Sequence, residues 1–147
     1  MSRIILSSCL MLVYAVTLCA QEKTVIKSPD APAAIGPYSQ AIMVGNTLYC
    51  SGQIAIDLAT SKMLSESIQT ETRQVLKNLG AVLRAAGMDY SNVVQATVYL
   101  ADMNDYKAMN EIYGEVFKEN PPARATVQVG RLPRDARMEI ACIAVKK

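Results

Sequence analysis

The sequence predicts a single α+β domain, an open sheet covered on one face by two helices. Three observations carry this. Two stretches repeat apolar residues at helical spacing, a β-branched run separates them, and strand-like alternation flanks the set at both ends. Two helices cover only one face of such a sheet, so the other stays open. A chain of 147 residues is one domain's worth, long enough to bury a core without disulfides or metals.

The first twenty residues stand apart from that domain. Met1-Ser-Arg3 is a short basic start, 4–19 is an apolar run, and Ala20-Gln21 offers a small-residue cleavage point, the pattern of a secretory signal. The run is short for a membrane span and is broken by Ser7 and Ser8, which disfavours an uncleaved anchor. Leu18 is a poor neighbour for a lipid-modified Cys19. The expectation is a signal over 1–20 and one domain over 21–147, exported to a periplasm or secreted, with a cytoplasmic location as the alternative. No stable membrane association is expected after cleavage.

Within the domain, 38–44 and 47–51 flank Gly45-Asn46, a two-residue turn signal, and read as a β-hairpin. Ser51-Gly52-Gln53 breaks the pattern before 54–57. From 65 to 86, Ile68, Val75, Leu79, Val82, Leu83 and Ala86 recur at threes and fours with Gly87 just beyond, an amphipathic helix with a glycine stop. The run 93–100 is a strand, β-branched enough to be covered on both faces. Asp102 and Asn104 offer helix caps before a second helix whose Tyr106, Met109, Tyr113, Val116 and Phe117 share a face. Asn120-Pro-Pro ends it, and a second hairpin follows, 123–129 with 136–145. Alternation sets Ala125, Val127 and Val129 on one side of its first strand and Arg124, Thr126 and Gln128 on the other. That polar side is expected to meet water, a ligand or a partner subunit.

Composition narrows the chemistry. Removing the signal deletes Arg3 and no acid, so the formal charge falls to +1 (15 − 1 basic against 13 acidic residues). Neither nucleic acid nor an anionic lipid surface is favoured by that balance. Histidine is absent, which excludes an imidazole as base, triad member or ligand. No zinc-type spacing occurs. Cys9 and Cys19 lie in the signal, while Cys50 and Cys142 lie in apolar β-like runs and read as buried thiols, with a bridge open to them in an oxidising compartment.

Two charged residues sit oddly in the second hairpin. Arg124 opens its first strand and Glu139 is the single carboxylate in an otherwise apolar run. Arg124 either pairs with a carboxylate of the protein or lies over a neighbouring apolar surface, or else it anchors a small carboxylate through its guanidinium fork. Glu139 either neutralises Arg124, Arg131, Arg134 or Arg137, or is a partly buried group that moves protons through a water. Taken alone, the residues favour the ion-pair and surface-packing readings.

The surrounding stretch changes that balance. Pro122-Ala-Arg124-Ala-Thr-Val-Gln-Val-Gly130-Arg-Leu132, with Met138-Glu139-Ile140 after it, resembles the C-terminal signature of the Rid family, the YjgF-type reactive-intermediate deaminases. Ala31-Pro-Ala-Ala-Ile-Gly-Pro-Tyr38-Ser-Gln40, Ser51-Gly-Gln53, Ala85-Ala-Gly87 and Thr97-Val-Tyr-Leu-Ala-Asp-Met-Asn104 resemble it in the same order, so the likeness covers 31–145. It implies a chorismate-mutase-like mixed sheet with two helices on one face, assembled as a homotrimer with sites between subunits. The activity it implies is hydrolysis of 2-imino acids, and of 2-enamines such as 2-aminoacrylate, to 2-oxo acids and ammonia. Carried across by position, Arg124 holds the substrate carboxylate and Glu139 activates the water. Tyr38 lines the pocket near the imine, and Gly52 and Thr126 contact the substrate. Such chemistry calls for no cofactor and no metal, because a protonated imine is already electrophilic and needs orientation, a water and proton traffic.

The sequence departs from the family in two places. Thr126 stands where some members carry cysteine, and the signal-like segment is foreign to a family whose usual setting is beside imine-forming enzymes. One rival reading is a non-catalytic binding protein for small carboxylic acids. The other is a chaperone-like or RNA-cleaving trimer, disfavoured by the near-neutral charge and the lack of a basic stripe with interleaved aromatics.

Overall fold

The computed structural model describes residues 22–147, so the signal expected over 1–20 lies outside the described residues. Six strands and two helices make up the domain: β1 (Lys23–Ile26), β2 (Ala41–Val44), β3 (Thr47–Gln53), α1 (Ile68–Ala85), β4 (Val93–Leu100), α2 (Tyr106–Val116), β5 (Ala123–Gln128) and β6 (Met138–Val145). They form one mixed sheet in the order β1-β2-β3-β6-β4-β5. Every neighbouring pair is antiparallel except β4 with β5. Both helices pack on one face, as the helical periodicity predicts.

The elements with strong local signals fall where expected. At Gly45 the backbone takes the left-handed conformation, φ 56°, that the β2–β3 turn needs. Ser67 caps α1, accepting from Thr70 N–H at 3.1 Å. At the other end Met88 N–H reaches back to Leu83 carbonyl at 3.0 Å around Gly87, the glycine stop. Val75, Leu79, Val82 and Leu83 of α1 are fully buried against a sheet face that presents Leu48, Val98, Ile140 and Ala144. β1 has no counterpart in the sequence reading, because a short polar edge strand with nearly every residue exposed shows no alternation to detect.

Three expectations are corrected. β5 and β6 are not a hairpin: β4 lies between them, parallel to β5 and antiparallel to β6. The division follows burial, since Met138, Ile140, Cys142 and Ala144 are almost wholly buried and suit a central strand, whereas β5 is exposed enough for an edge. β4 is covered on one face only; Val94 stays exposed, and Thr97 and Tyr99 are only partly buried. The third correction concerns which side is open. Arg124 stands opposite Ala96 and Thr126 opposite Val98 in the β4–β5 register, and Ala96 and Val98 belong to the helix-covered core. Register partners share a face. The polar side of β5 therefore turns towards the helices, and Val127 joins the open face.

That open face carries an apolar row across the four strands β1, β2, β3 and β6. Val25, Ile42, Tyr49 and Ile143 are register partners in succession, and Val25 and Tyr49 are close to half exposed.

Candidate functional site

The end of β3 is built irregularly. Cys50 pairs with Cys142 of β6, yet Gln53 pairs with Ile140, so β3 holds one residue more than β6 over this interval. Ser51 and Gly52 occupy that bulge, which re-aims the strand next to Glu139. A β-carbon placed on Gly52 would come within 1.7 Å of Glu139 Oε1, so only glycine leaves the carboxylate its place.

A cavity of about 260 Å³ opens here, lined by Ile35, Tyr38, Ser51, Gly52, Ile54, Pro133 and Glu139. Each wall is held by identifiable contacts. Ser51 N–H donates to the Gln40 carbonyl at 3.0 Å and its hydroxyl to the Ser39 carbonyl at 2.7 Å. Gln40 is buried, and its side chain bonds the backbone at Ser28, Ala31 and Pro32, which shapes the loop leading to Tyr38. Ile35 N–H donates to Tyr38 Oη at 3.3 Å, folding the ring over Gly36. Asn78 of α1 donates to the carbonyls of Ile54 and Ile56 and fixes the segment beyond the bulge.

Glu139 is half-buried and, among the described residues, has no hydrogen-bond or ion-pair partner. Burial alone pushes its carboxyl above the ordinary carboxylate value. The arginines that could have neutralised it are engaged elsewhere or distant. Arg131 pairs with Asp135 at 2.7 Å and Arg134 donates to the Ser61 carbonyl. Arg137 faces the buried Glu71, whose carboxylate accepts the Arg137 backbone N–H at 3.0 Å and lies 3.8 Å from its Nε. Within one chain, among the described residues, Glu139 forms none of the ion pairs considered for it.

Arg124 is not in this cavity. It stands on the helix-covered face, whereas Glu139 pairs in register with Tyr99, three residues along β4 from Ala96 and hence on the opposite face. A second cavity, about 430 Å³, is lined by Arg124 with Asn110, Tyr113, Gly114, Phe117, Pro121 and Pro122. The guanidinium carbon lies 4.5 Å from the centre of the Tyr113 ring, and Nη2 donates to Tyr106 Oη at 3.3 Å. No carboxylate pairs with it among the described residues. Thr126 lines neither cavity; its hydroxyl is buried without a hydrogen-bond partner.

One chain therefore brings Tyr38, Gly52 and Glu139 together and leaves Arg124 and Thr126 apart from them. Ile35, Ser51, Ile54 and Pro133 complete the first cavity without having been singled out as site residues, and Tyr106 and Tyr113 read only as one helix face. Among the described residues, no three His, Cys, Asp or Glu side chains gather as a metal ion would require.

Comparison with known proteins bears on this arrangement. Residues 28–146 match the family model described as Endoribonuclease L-PSP. A human protein named 2-iminobutanoate/2-iminopropanoate deaminase is 49% identical over 124 residues, covering 84% of this chain and 90% of its own. The crystal structure of a Yersinia pestis member of the conserved Rid family, of unknown function, superposes with a TM-score of 0.82 at 44% identity over 85% of this chain and all of that one. Escherichia coli TdcF with bound serine gives a TM-score of 0.81 at 36% identity, over 84% of this chain and 99% of that one.

Proposed function

The chain belongs to the Rid family, the family of the Endoribonuclease L-PSP model, and from that membership we propose that it hydrolyses 2-imino acids and their 2-enamine tautomers to 2-oxo acids and ammonia. The observation that carries the reading is Glu139: a half-buried carboxylate without a protein partner, at a cavity that Gly52 keeps open for it. The deaminase name of the human relative and the amino acid bound to the Escherichia coli structure support a substrate of this class.

The roles follow from the chemistry of the groups. The iminium carbon is electrophilic, so a water oriented by Glu139 adds to it while the carboxylate accepts a water proton. The tetrahedral carbinolamine then receives that proton on nitrogen, the C–N bond breaks as the hydroxyl gives its own proton to the freed Glu139 carboxylate, and ammonia leaves a 2-oxo acid. Tyr38 borders the reacting carbon and Gly52 offers its backbone to the substrate. Arg124 holds the substrate carboxylate through its fork. Because Arg124 and Glu139 stand on opposite faces of one sheet, the site is completed by Arg124 of a second copy, in a homotrimer whose subunits cover the open apolar face.

The test adds purified protein to a dehydratase that generates 2-aminoacrylate from serine and times the release of pyruvate. Wild type accelerates release and Arg124→Ala does not. A folded protein that binds 2-oxo acids but accelerates no imine hydrolysis, across several precursor amino acids, would leave the carboxylate-binding reading in its place.

A further inference from the structure

Arg124 is held firmly by groups that do not neutralise it. Arg73, Arg131 and Arg137 each lie against a carboxylate. The guanidinium of Arg124 instead lies over the Tyr113 ring, 4.5 Å from its centre, with the Tyr106 ring 5.8 Å away and a 3.3 Å hydrogen bond to Tyr106 Oη. An aromatic face attracts a cation yet leaves its N–H donors free, whereas a carboxylate would compete with any incoming anion. Tyr106 and Tyr113 are seven residues apart on α2, two turns, and so lie on one side of it.

The support is itself braced. Tyr113 is 5% exposed and stacks on Phe117 at 4.5 Å, and Phe117 meets Tyr90 edge-on at 5.5 Å. Its hydroxyl is buried with no hydrogen-bond partner among the described residues, and the ring face makes the 4.5 Å contact with Arg124.

We propose that Tyr113 and Tyr106 are positioning residues that fix the Arg124 guanidinium, uncompensated, in the orientation in which a substrate carboxylate meets it; this rests on the carboxylate-holding role proposed for Arg124.

The experiment compares full-length wild type with Tyr113→Leu, Tyr113→Phe and Tyr106→Phe. Initial rates are taken against a continuously generated 2-imino acid, and binding of 2-oxobutanoate is measured by calorimetry. Tyr113→Leu raises KM and the 2-oxobutanoate Kd by on the order of tenfold with little change in kcat, and Tyr113→Phe, which keeps the ring, restores both. Tyr106→Phe, at a 40% exposed position where folding is not at risk, raises them about threefold and carries the test if the leucine variant does not fold. Unchanged KM and Kd, a phenylalanine variant as damaged as the leucine one, or a fall in kcat alone would each overturn the proposal. A wild type that hydrolyses no imine, yet binds 2-oxobutanoate in a Tyr113-dependent way, removes the deaminase reading and leaves this one standing. Loss of both binding and turnover in wild type removes both.

Discussion

At Gly52 the need for glycine comes from a neighbouring side chain and not from the backbone. The missing β-carbon leaves the space that Glu139 Oε1 occupies, 1.7 Å from where that carbon would sit. Gly52→Ala is therefore expected to displace the carboxylate, lowering turnover at least as much as a misplaced base does, about a hundredfold, and costing about 2 kcal/mol of stability from overpacking. Steady-state rates and urea denaturation measure the two effects. Glu139 carries a pH signature as well. Burial raises its carboxyl above the ordinary 4.5, so the folded state holds that proton more tightly than the unfolded chain does. Such a group favours folding below 4.5 and loses that contribution as pH rises through the higher folded value. Glu139→Gln is accordingly expected to raise the melting temperature relative to wild type at neutral pH and to match it in acid, while abolishing turnover. Taking the difference between the two proteins separates Glu139 from Glu71, whose carboxyl burial also raises.

Among the elements, α1 ties the start of β6 in place. Glu71 is almost fully buried and accepts the backbone N–H of Arg137, two residues before Glu139, while the Thr72 hydroxyl meets Met138 Sδ at 3.0 Å. Glu71→Ala leaves that N–H without its acceptor and is expected to cost about 2 kcal/mol, whereas Glu71→Gln keeps an acceptor and costs less. Chemical denaturation of the two variants distinguishes them. Elements of this kind also mark how far the sequence could be read. α1 and β4 were legible because burial on one side of a helix or in a β-branched run leaves a local period. The supposed final hairpin was not, since strand pairing is decided by distant partners: β6 found β3 and β4, and the chain passes from β5 to β6 across the end of β4, with Val129 and Ala101 bonding on its two sides. Alternation in β5 correctly grouped Arg124 with Thr126 but could not tell which side the helices would cover. For the site, the motif residues Tyr38, Gly52 and Glu139 were legible and do converge, while the tyrosines under Arg124 were hidden by an apolar spacing that core residues share.

For the whole molecule, the apolar row of Val25, Ile42, Tyr49 and Ile143 lies on the sheet face away from the helices, and the proposed assembly requires that face to be covered. If the open face is where copies meet, Tyr49→Asp puts a charge at its centre and is expected to yield monomers by light scattering, with activity lost although Tyr38, Glu139 and Arg124 are intact. A variant that stays assembled and active would detach the apolar row from the interface.

The strand order also constrains how the protein is made. β6 is the last strand in the sequence, yet it stands between β3 and β4 in the middle of the sheet. Until Val145 has left the ribosome, the nascent chain holds two half-sheets, β1-β2-β3 and β4-β5, with the edges that β6 will join still unpaired and α1 lacking half the surface it packs on. Folding must then wait until β6 has been made, and the growing polypeptide depends on being kept from its neighbours on the same message until its keystone strand arrives.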